Sequence, residues 1–245
     1  MLELERHTRT AVQHRLTTSL ARSDAEVLEA QRLRYRIFAE EMGASLPGQK
    51  GVDRDIYDRH CEHLLVRESE DDRIVGTFRM LPPEQARKIG GFHAQTQFDL
   101  TRLSHLRERM VEVGRACVHR DYRSGATFAE LLGGISQYME HNRHEYLIGC
   151  ASISIADGGH VAASLYRKLH RIYGAPIEYR VFPRNPLPLD ALNPYLDVEV
   201  PPLLKGYLRL GAWICGEPAW DAAFNTADLL VLLPKSRMPA GQDRR

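Results

Sequence analysis

The sequence predicts an α/β fold in which a mixed central sheet is flanked by helices. Three observations carry that expectation. Apolar runs of strand character alternate with helical stretches, a hairpin comes early at His63 to Glu68 and Ile74 to Leu81, and no unstructured linker divides the chain. Residues 15–234 are therefore expected to form one domain, with residues 1–14 as a polar arm and 235–245 as a polar tail.

The elements follow in order. Leu16 to Ala21 reads as a short strand. Ser23 and Glu26 have capping-box spacing, and Val27, Ala30, Leu33, Ile37 and Phe38 recur at helical intervals until Gly43 stops the helix. Pro47-Gly48 opens a loop to about residue 58, ahead of the hairpin. Pro82-Pro83 ends the hairpin, and residues 84–109 read as irregular helix broken at Gly90-Gly91. Met110 to Val118 is a strand, Gly125 to His141 a long helix, Tyr146 to Ile153 a strand and His160 to Arg171 a helix. Glu178 to Phe182 is expected as a further strand. A proline-rich connection from Pro183 to Pro202, a short helix over Leu203 to Leu210 and a last strand over Leu229 to Leu233 complete the chain.

Composition excludes several classes. With 245 residues, 43% hydrophobic and 27% charged, the chain has a globular composition. A net charge of +1 argues against a nucleic-acid coat protein, and no nucleic-acid partner is expected. No apolar run approaches the ~18 residues of a membrane span, and the N-terminal stretch has arginines but no apolar core of a secretory signal. Cys61, Cys117, Cys150 and Cys215 form no CxxC pair, which excludes a zinc ribbon and points to the reducing cytoplasm. His60 and His63 would face opposite sides of a strand with no third ligand at metal-site spacing, so no metal is expected.

The densest chemical signal is Met110-Val-Glu-Val-Gly-Arg-Ala-Cys-Val118. A glutamate and an arginine in an apolar strand are costly unless paired or used. Glu112 and Arg115 would face opposite sides of a regular strand, and a bulge at Gly114 would bring them to one side. The bland reading is a buried ion pair. Next comes Arg120-Asp-Tyr-Arg123-Ser-Gly125 at the start of a helix, where guanidiniums and free backbone N–H groups suit a phosphate.

Strand, basic loop and helix together resemble the acyl-donor core of the GNAT acyltransferase superfamily. The superfamily loop is Q/R-xx-G-x-G/A; here Arg123 replaces the first glycine and Gly125 keeps the last. That departure suits a donor arm with one phosphodiester, as in acyl carrier protein, and the resemblance implies no tightly bound cofactor. Arg34-Tyr-Arg-Ile-Phe38, Asp55-Ile-Tyr-Asp58, Gly76-Thr-Phe-Arg-Met-Leu81 and Glu112-Val-Gly-Arg115 follow in the order seen in acyl-homoserine lactone synthases, but the tryptophan expected shortly after Phe38 is missing. The segment Pro202 to Asp221, Phe224-Asn-Thr-Ala-Asp228 and His60-Cys-Glu-His63 resemble the ornithine N-acyltransferases of bacterial ornithine-lipid synthesis. The likeness spans about residues 15 to 234.

This resemblance implies transfer of a 3-hydroxyacyl chain from the 4′-phosphopantetheine thioester of acyl carrier protein to the α-amine of L-ornithine, giving lyso-ornithine lipid. The partners implied are acyl carrier protein, L-ornithine and, peripherally, the inner membrane surface. Glu112 is the expected base, because a carboxylate in an apolar strand can have a raised pKa. Backbone N–H groups from Gly114 to Cys117, with Arg115, are expected around the thioester oxygen. Tyr166, on the helix after the Tyr146 strand, is the expected acid; its alternative is packing on the sheet. Arg34, Arg79 and Arg115 are candidates for the α-carboxylate, and Asp55 and Asp58 for the side-chain ammonium. Phe38 joins the substrate site. Arg120, Arg123, Ser124 and Gly125 form the donor loop. The competing readings are an acyl-homoserine lactone synthase-like enzyme and a non-catalytic acyl-carrier or lipid-binding module.

Overall fold

The computed structural model describes residues 15–46, 48–123 and 125–239. The expected arm at residues 1–14, Ser124 and most of the expected tail lie outside these. In chain order the strands are β1 (Leu16–Leu20), β2 (Glu62–Glu68), β3 (Ile74–Leu81), β4 (Phe98–Asp99), β5 (Met110–Val118), β6 (Tyr146–Ser154), β7 (Phe182–Pro183), β8 (Trp213–Ile214), β9 (Ala219–Asp221) and β10 (Thr226–Pro234). The helices are α1 (Asp24–Tyr35), α2 (Pro83–Lys88), α3 (Gly125–His141), α4 (His160–Tyr173) and α5 (Pro202–Arg209).

The main sheet runs β1-β2-β3-β5-β6-β10-β8, with β9 also on β10. Every pairing is antiparallel except β5 with β6. The sheet is mixed and has helices on both faces, as the alternating pattern predicted. One face carries Leu64, Phe78, Met80, Leu147 and Leu229 against α3, α4 and α5 through Leu131, Ile135, Leu165, Leu204 and Tyr207. On the other face, α1 packs Ala30, Leu33, Ile37 and Phe38 on Leu65, Ile74 and Cys117. Farther along that face, Phe92, Ala94, Phe98, Leu103 and Leu106 cover Ile148, Leu230 and Leu232. Period-two alternation thus gives each strand two buried faces. Gly134 lets α3 lie tight on the hairpin, since a Cβ there would come within 2.8 Å of both Leu64 and Thr18 side-chain atoms.

The parallel β5–β6 ladder is short. Met110 to Val113 pair with Tyr146 to Gly149, and beyond that the two strands part. At the last rung the backbones are close: a Cβ on Gly149 would sit 2.7 Å from the Val113 carbonyl oxygen. Two features then turn β5 away. Its register against β3 slips between Thr77 and Arg79, and Arg115 adopts φ +52°, a left-handed conformation rare for a side-chain-bearing residue. The predicted bulge therefore exists but falls at Arg115-Ala116, opposite Phe78, and not at Gly114.

Other departures are local. Glu178 to Phe182 is not a strand: Ile177–Tyr179 is a single 3₁₀ turn, and only Phe182–Pro183 pairs, with β4. Pro176 and Pro183 at its ends withhold backbone donors. After Tyr35 the first helix widens into a π-type turn over Arg36–Glu41, closed by Met42 N–H to the Ile37 carbonyl at 3.0 Å, before Gly43 at φ +74° ends it. Glu26 does cap that helix, accepting from the Arg22 N–H at 2.6 Å while its own N–H donates to Ser23 Oγ at 3.3 Å. Among the described residues no helix is long and apolar enough to cross a membrane.

Candidate active site

Where β5 and β6 separate, the sheet opens into a cleft with a cavity of about 420 Å³. From Gly114 to Val118 the β5 edge facing β6 has lost its strand partner, so its backbone groups line the cleft. An apolar arm is built by Phe78, Phe128, Leu131, Leu203, Leu204 and Tyr207. The polar part lies on the opposite face of the sheet, together with Ile37 and Phe38. Register places Glu112 level with Ile148 and Leu81, Arg79 level with Gly114, and Asp228 level with Ser152.

Glu112 is buried at 6% exposure yet forms part of the cleft wall. Its Oε2 accepts from the His93 N–H at 2.6 Å and its Oε1 from the Ala94 N–H at 2.7 Å, at the opening of a 3₁₀ turn. Burial pushes its carboxyl up to about 7, against those hydrogen bonds, which favour the charged form. A carboxylate that exchanges a proton near neutrality suits general-base work. The His93 ring stands beside it at the cleft wall, held neutral because burial, then Arg115 and Arg79, push its pKa down to about 4.

The expected substrate-binding ions are first of all partners of one another. Arg34 is fully buried: Nε lies 2.8 Å from Asp53 Oδ2, and Nη2 lies 2.6 Å from Asp58 Oδ1 and 2.5 Å from the Asp53 carbonyl. Asp58 also takes Gln31 Nε2 at 3.1 Å, the Asp55 N–H at 2.9 Å and Arg79 Nη1 at 2.9 Å. Burial works against the Asp58 charge, but Arg34 and Arg79 hold its carboxyl well below the usual carboxylate range. Arg79 reaches Asp55 at 2.6 Å, and Arg115 reaches Asp53 and Asp55, each at 3.2 Å. Three guanidiniums and three carboxylates thus balance. Arg34 and Asp58, expected at the substrate, do not line the cleft and are enclosed by their partners. Asp55 stands behind Arg79 and Arg115, the two arginines of this network that line the cavity. Arg115 also lies over the Phe224 ring at 4.7 Å, and Phe224 meets Phe38 edge-on at 5.9 Å.

Tyr166 is elsewhere. It sits on α4, packed against the core and the His170 ring at 5.0 Å, and lines no part of the cleft. The expectation that it serves as the acid gains no support from this placement, since its helix packs on the face of the sheet opposite Glu112. Two tyrosines line the cleft: Tyr207 in the apolar arm, and Tyr57, edge-on to His93 at 5.2 Å. In the donor loop, Arg123 lines one end of the cleft, donates to the Val118 carbonyl at 3.1 Å and pairs with Glu41 at 2.6 Å. Arg120 and Gly125 are exposed beside it, and Ser124 lies outside the described residues.

Sequence reasoning missed Asp53, Tyr57, His93, Gln97, Asp221 and Asp228. Gln97 Nε2 donates to Asp221 at 2.8 Å and to Asp228 at 2.9 Å. Its amide is oriented by the Cys150 thiol, which donates to Oε1 at 3.3 Å. Asp228 is a charge within an apolar strand, the same signal that singles out Glu112.

Relatives decide the family. The chain is 37% identical over 238 residues to an L-ornithine N(alpha)-acyltransferase of Agrobacterium fabrum, covering 90% of this chain and 81% of that one. It is 36% identical over 242 residues to the enzyme of that name from Brucella abortus, covering 91% and 85%. The chain belongs to the L-ornithine N(alpha)-acyltransferase family. It is an acyltransferase, and residues 33–133 match the acetyltransferase (GNAT) domain model. That stretch runs from α1 through the Glu112 strand and the basic loop that follows it into α3. The fold agrees with that of an N-acyl amino acid synthase, FeeM, from uncultured soil microbes (TM-score 0.55, 13% identity, 92% of this chain and 93% of that one). It also agrees with that of the acyl-homoserine lactone synthase LasI (TM-score 0.53, 11% identity, 91% of each chain).

Proposed function

We propose that this acyltransferase moves a 3-hydroxyacyl chain from the phosphopantetheine thioester of acyl carrier protein to the α-amine of L-ornithine, giving lyso-ornithine lipid. The observation that carries the reading is Glu112, a carboxylate poised near neutrality where an apolar arm and a charged wall meet. The names of the family's members support ornithine as the acceptor. The apolar arm suits an acyl chain, and Arg123 with the exposed Arg120 at the start of α3 suits a phosphodiester.

The chemistry follows from the residues. Ornithine's α-ammonium gives a proton to Glu112, directly or through water, and the free amine attacks the thioester carbon. Unpaired backbone N–H groups of β5 beyond Gly114 hold the developing oxyanion, with the Arg115 guanidinium nearby for the α-carboxylate. The C–S bond breaks as the amide forms. One of the amine's protons ends on the departing thiolate and one is released to solvent, so charge and atoms balance.

The test is a mass-spectrometric assay with purified protein, 3-hydroxyacyl carrier protein and L-ornithine, with Glu112→Gln alongside. An amide-linked acyl-ornithine, strongly reduced in the variant, is expected. Absence of any acylated amino acid despite binding of the carrier protein would overturn the reading.

A further inference from the structure

The cleft has two polar walls of opposite electrostatic character. The wall presented by Arg79 and Arg115, backed by Arg34, Asp53, Asp55 and Asp58, is neutral as it stands. The facing wall is not. Asp228 of β10 and Asp221 at the end of β9 line the cavity and meet only uncharged donors. Gln97 bridges them, Thr226 Oγ1 donates to Asp228 at 3.0 Å, the Ser152 hydroxyl adds a further bond, and Asp221 Oδ1 takes the Ala223 N–H at 2.9 Å and the Phe224 N–H at 3.2 Å. Among the described residues no lysine, arginine or histidine nitrogen ion-pairs with either carboxylate. Asp228 is only 4% exposed, and a carboxylate so enclosed without a cation is costly to keep charged. The protein has matched three arginines with three aspartates on one wall and has left this wall unmatched, open to the substrate cavity.

Position makes the mismatch useful. Glu112, Cys150, Ser152 and Asp228 share one face of the sheet. Glu112 is level with Ile148 and Asp228 with Ser152, four residues farther along β6, or about 13 Å along the strand before the side chains reach inward. The Cys150 thiol lies between them: desolvation first, then the charges of Asp228, Glu112 and Asp221, push its pKa up. Glu112 and Asp228 therefore face one stretch of cavity from its two ends.

Building on the acceptor reading above, we propose that Asp228, with Asp221 joined to it through Gln97, receives the side-chain ammonium of the acceptor amino acid. The site thereby selects diamino acids over neutral ones. It also sets which amine reacts: the side-chain nitrogen stays charged and hydrogen-bonded at Asp228, while the α-nitrogen stands at Glu112. A charge-assisted bond made in an enclosed site discriminates strongly against an analogue that lacks the donor.

The experiment compares L-ornithine with L-norvaline, the same carbon skeleton without the side-chain amine, as acceptors for the full-length protein with 3-hydroxyacyl carrier protein. Wild type is expected to favour ornithine by about a hundredfold or more in kcat/KM. Asp228→Asn is expected to reduce that ratio to within about threefold, mainly through a higher KM for ornithine, and Asp221→Asn to reduce it by about tenfold. Asp221 is only part-buried, so its variant decides the outcome if Asp228→Asn melts at a lower temperature and does not fold. Variants that keep the wild-type ratio, or a wild type that uses both acceptors equally, overturn this proposal while leaving the N-acyltransferase reading intact. A wild type that acylates no amino acid overturns both.

Discussion

Arg34, wholly shielded from solvent, donates from Nη2 to Asp58 Oδ1 at 2.6 Å and thereby ties α1 to the loop that precedes β2. Neither residue reaches the cleft, yet Asp58 in turn holds Arg79, which does. The pair acts as a foundation under the charged wall.

Arg34→Met leaves the buried Asp53 and Asp58, together with Asp55, to share the two guanidiniums of Arg79 and Arg115. A loss of about 3–5 kcal/mol is expected, read from urea unfolding at neutral pH. The Asp58 carboxyl is held below its unfolded pKa, so its stabilisation is present above the ordinary carboxylate range and is lost as pH falls. Unfolding midpoints measured down a series of acid pH values should decline in wild type and less steeply in Asp58→Asn.

Glu112 has the opposite sign. Its folded pKa of about 7 lies above the unfolded value, so its contribution to stability is full below about 4.5 and is lost as pH rises through 7. Activity runs the other way, because the base must be ionised: kcat/KM should rise with pH to a plateau above about 7. Glu112→Gln should lower kcat/KM by about 10²–10⁴-fold and abolish that inflection. A pH–rate profile of the variant that still turns near 7 would assign the titration to another group.

Tyr166→Phe should change kcat by no more than about twofold, since its ring lies on the α4 side of the sheet, away from the cleft. Steady-state kinetics with saturating donor and acceptor checks this. A hundredfold loss in a variant of unchanged melting temperature would require the helix to reach the reacting atoms.

Gly149→Ala places a methyl group 2.7 Å from the Val113 carbonyl oxygen. The last rung of the β5–β6 ladder has to open, at a cost of about 1–3 kcal/mol. Because that rung sets where the cleft begins, kcat should fall along with the melting temperature. A variant that is destabilised but fully active would separate the two.

Much of this is legible in the sequence. Ile74–Leu81, Met110–Val118 and Gly125–His141 have the expected bounds because each is a long patterned run between strong turn signals. β4, β7 and β8 have two residues each and are held by neighbours distant in the chain, and β9 has only three, so local periodicity carries no trace of them. Glu112 stands out as a charge in an apolar strand. Asp228 is the same kind of residue, but with the strand expected to begin at Leu229 it falls just outside, and β10 in fact begins at Thr226. The pairing of Arg34 with Asp53 and Asp58 joins a helix to a loop about 20 residues on, and residue spacing alone does not tell a guanidinium that greets a substrate from one that anchors a loop.

The place of β10 has a consequence for how the protein is made. Among the described residues it is the last strand, yet it lies inside the sheet, with β6 on one side and β8 on the other. While the ribosome is still adding residues before 226, β6 presents an open edge flanked by Leu147, Ile148 and Ile153, and a nascent chain in that state is a template for unwanted strand pairing. Closure of that edge and arrival of Asp228 at the cleft are one event. A chain interrupted before Thr226 gains neither.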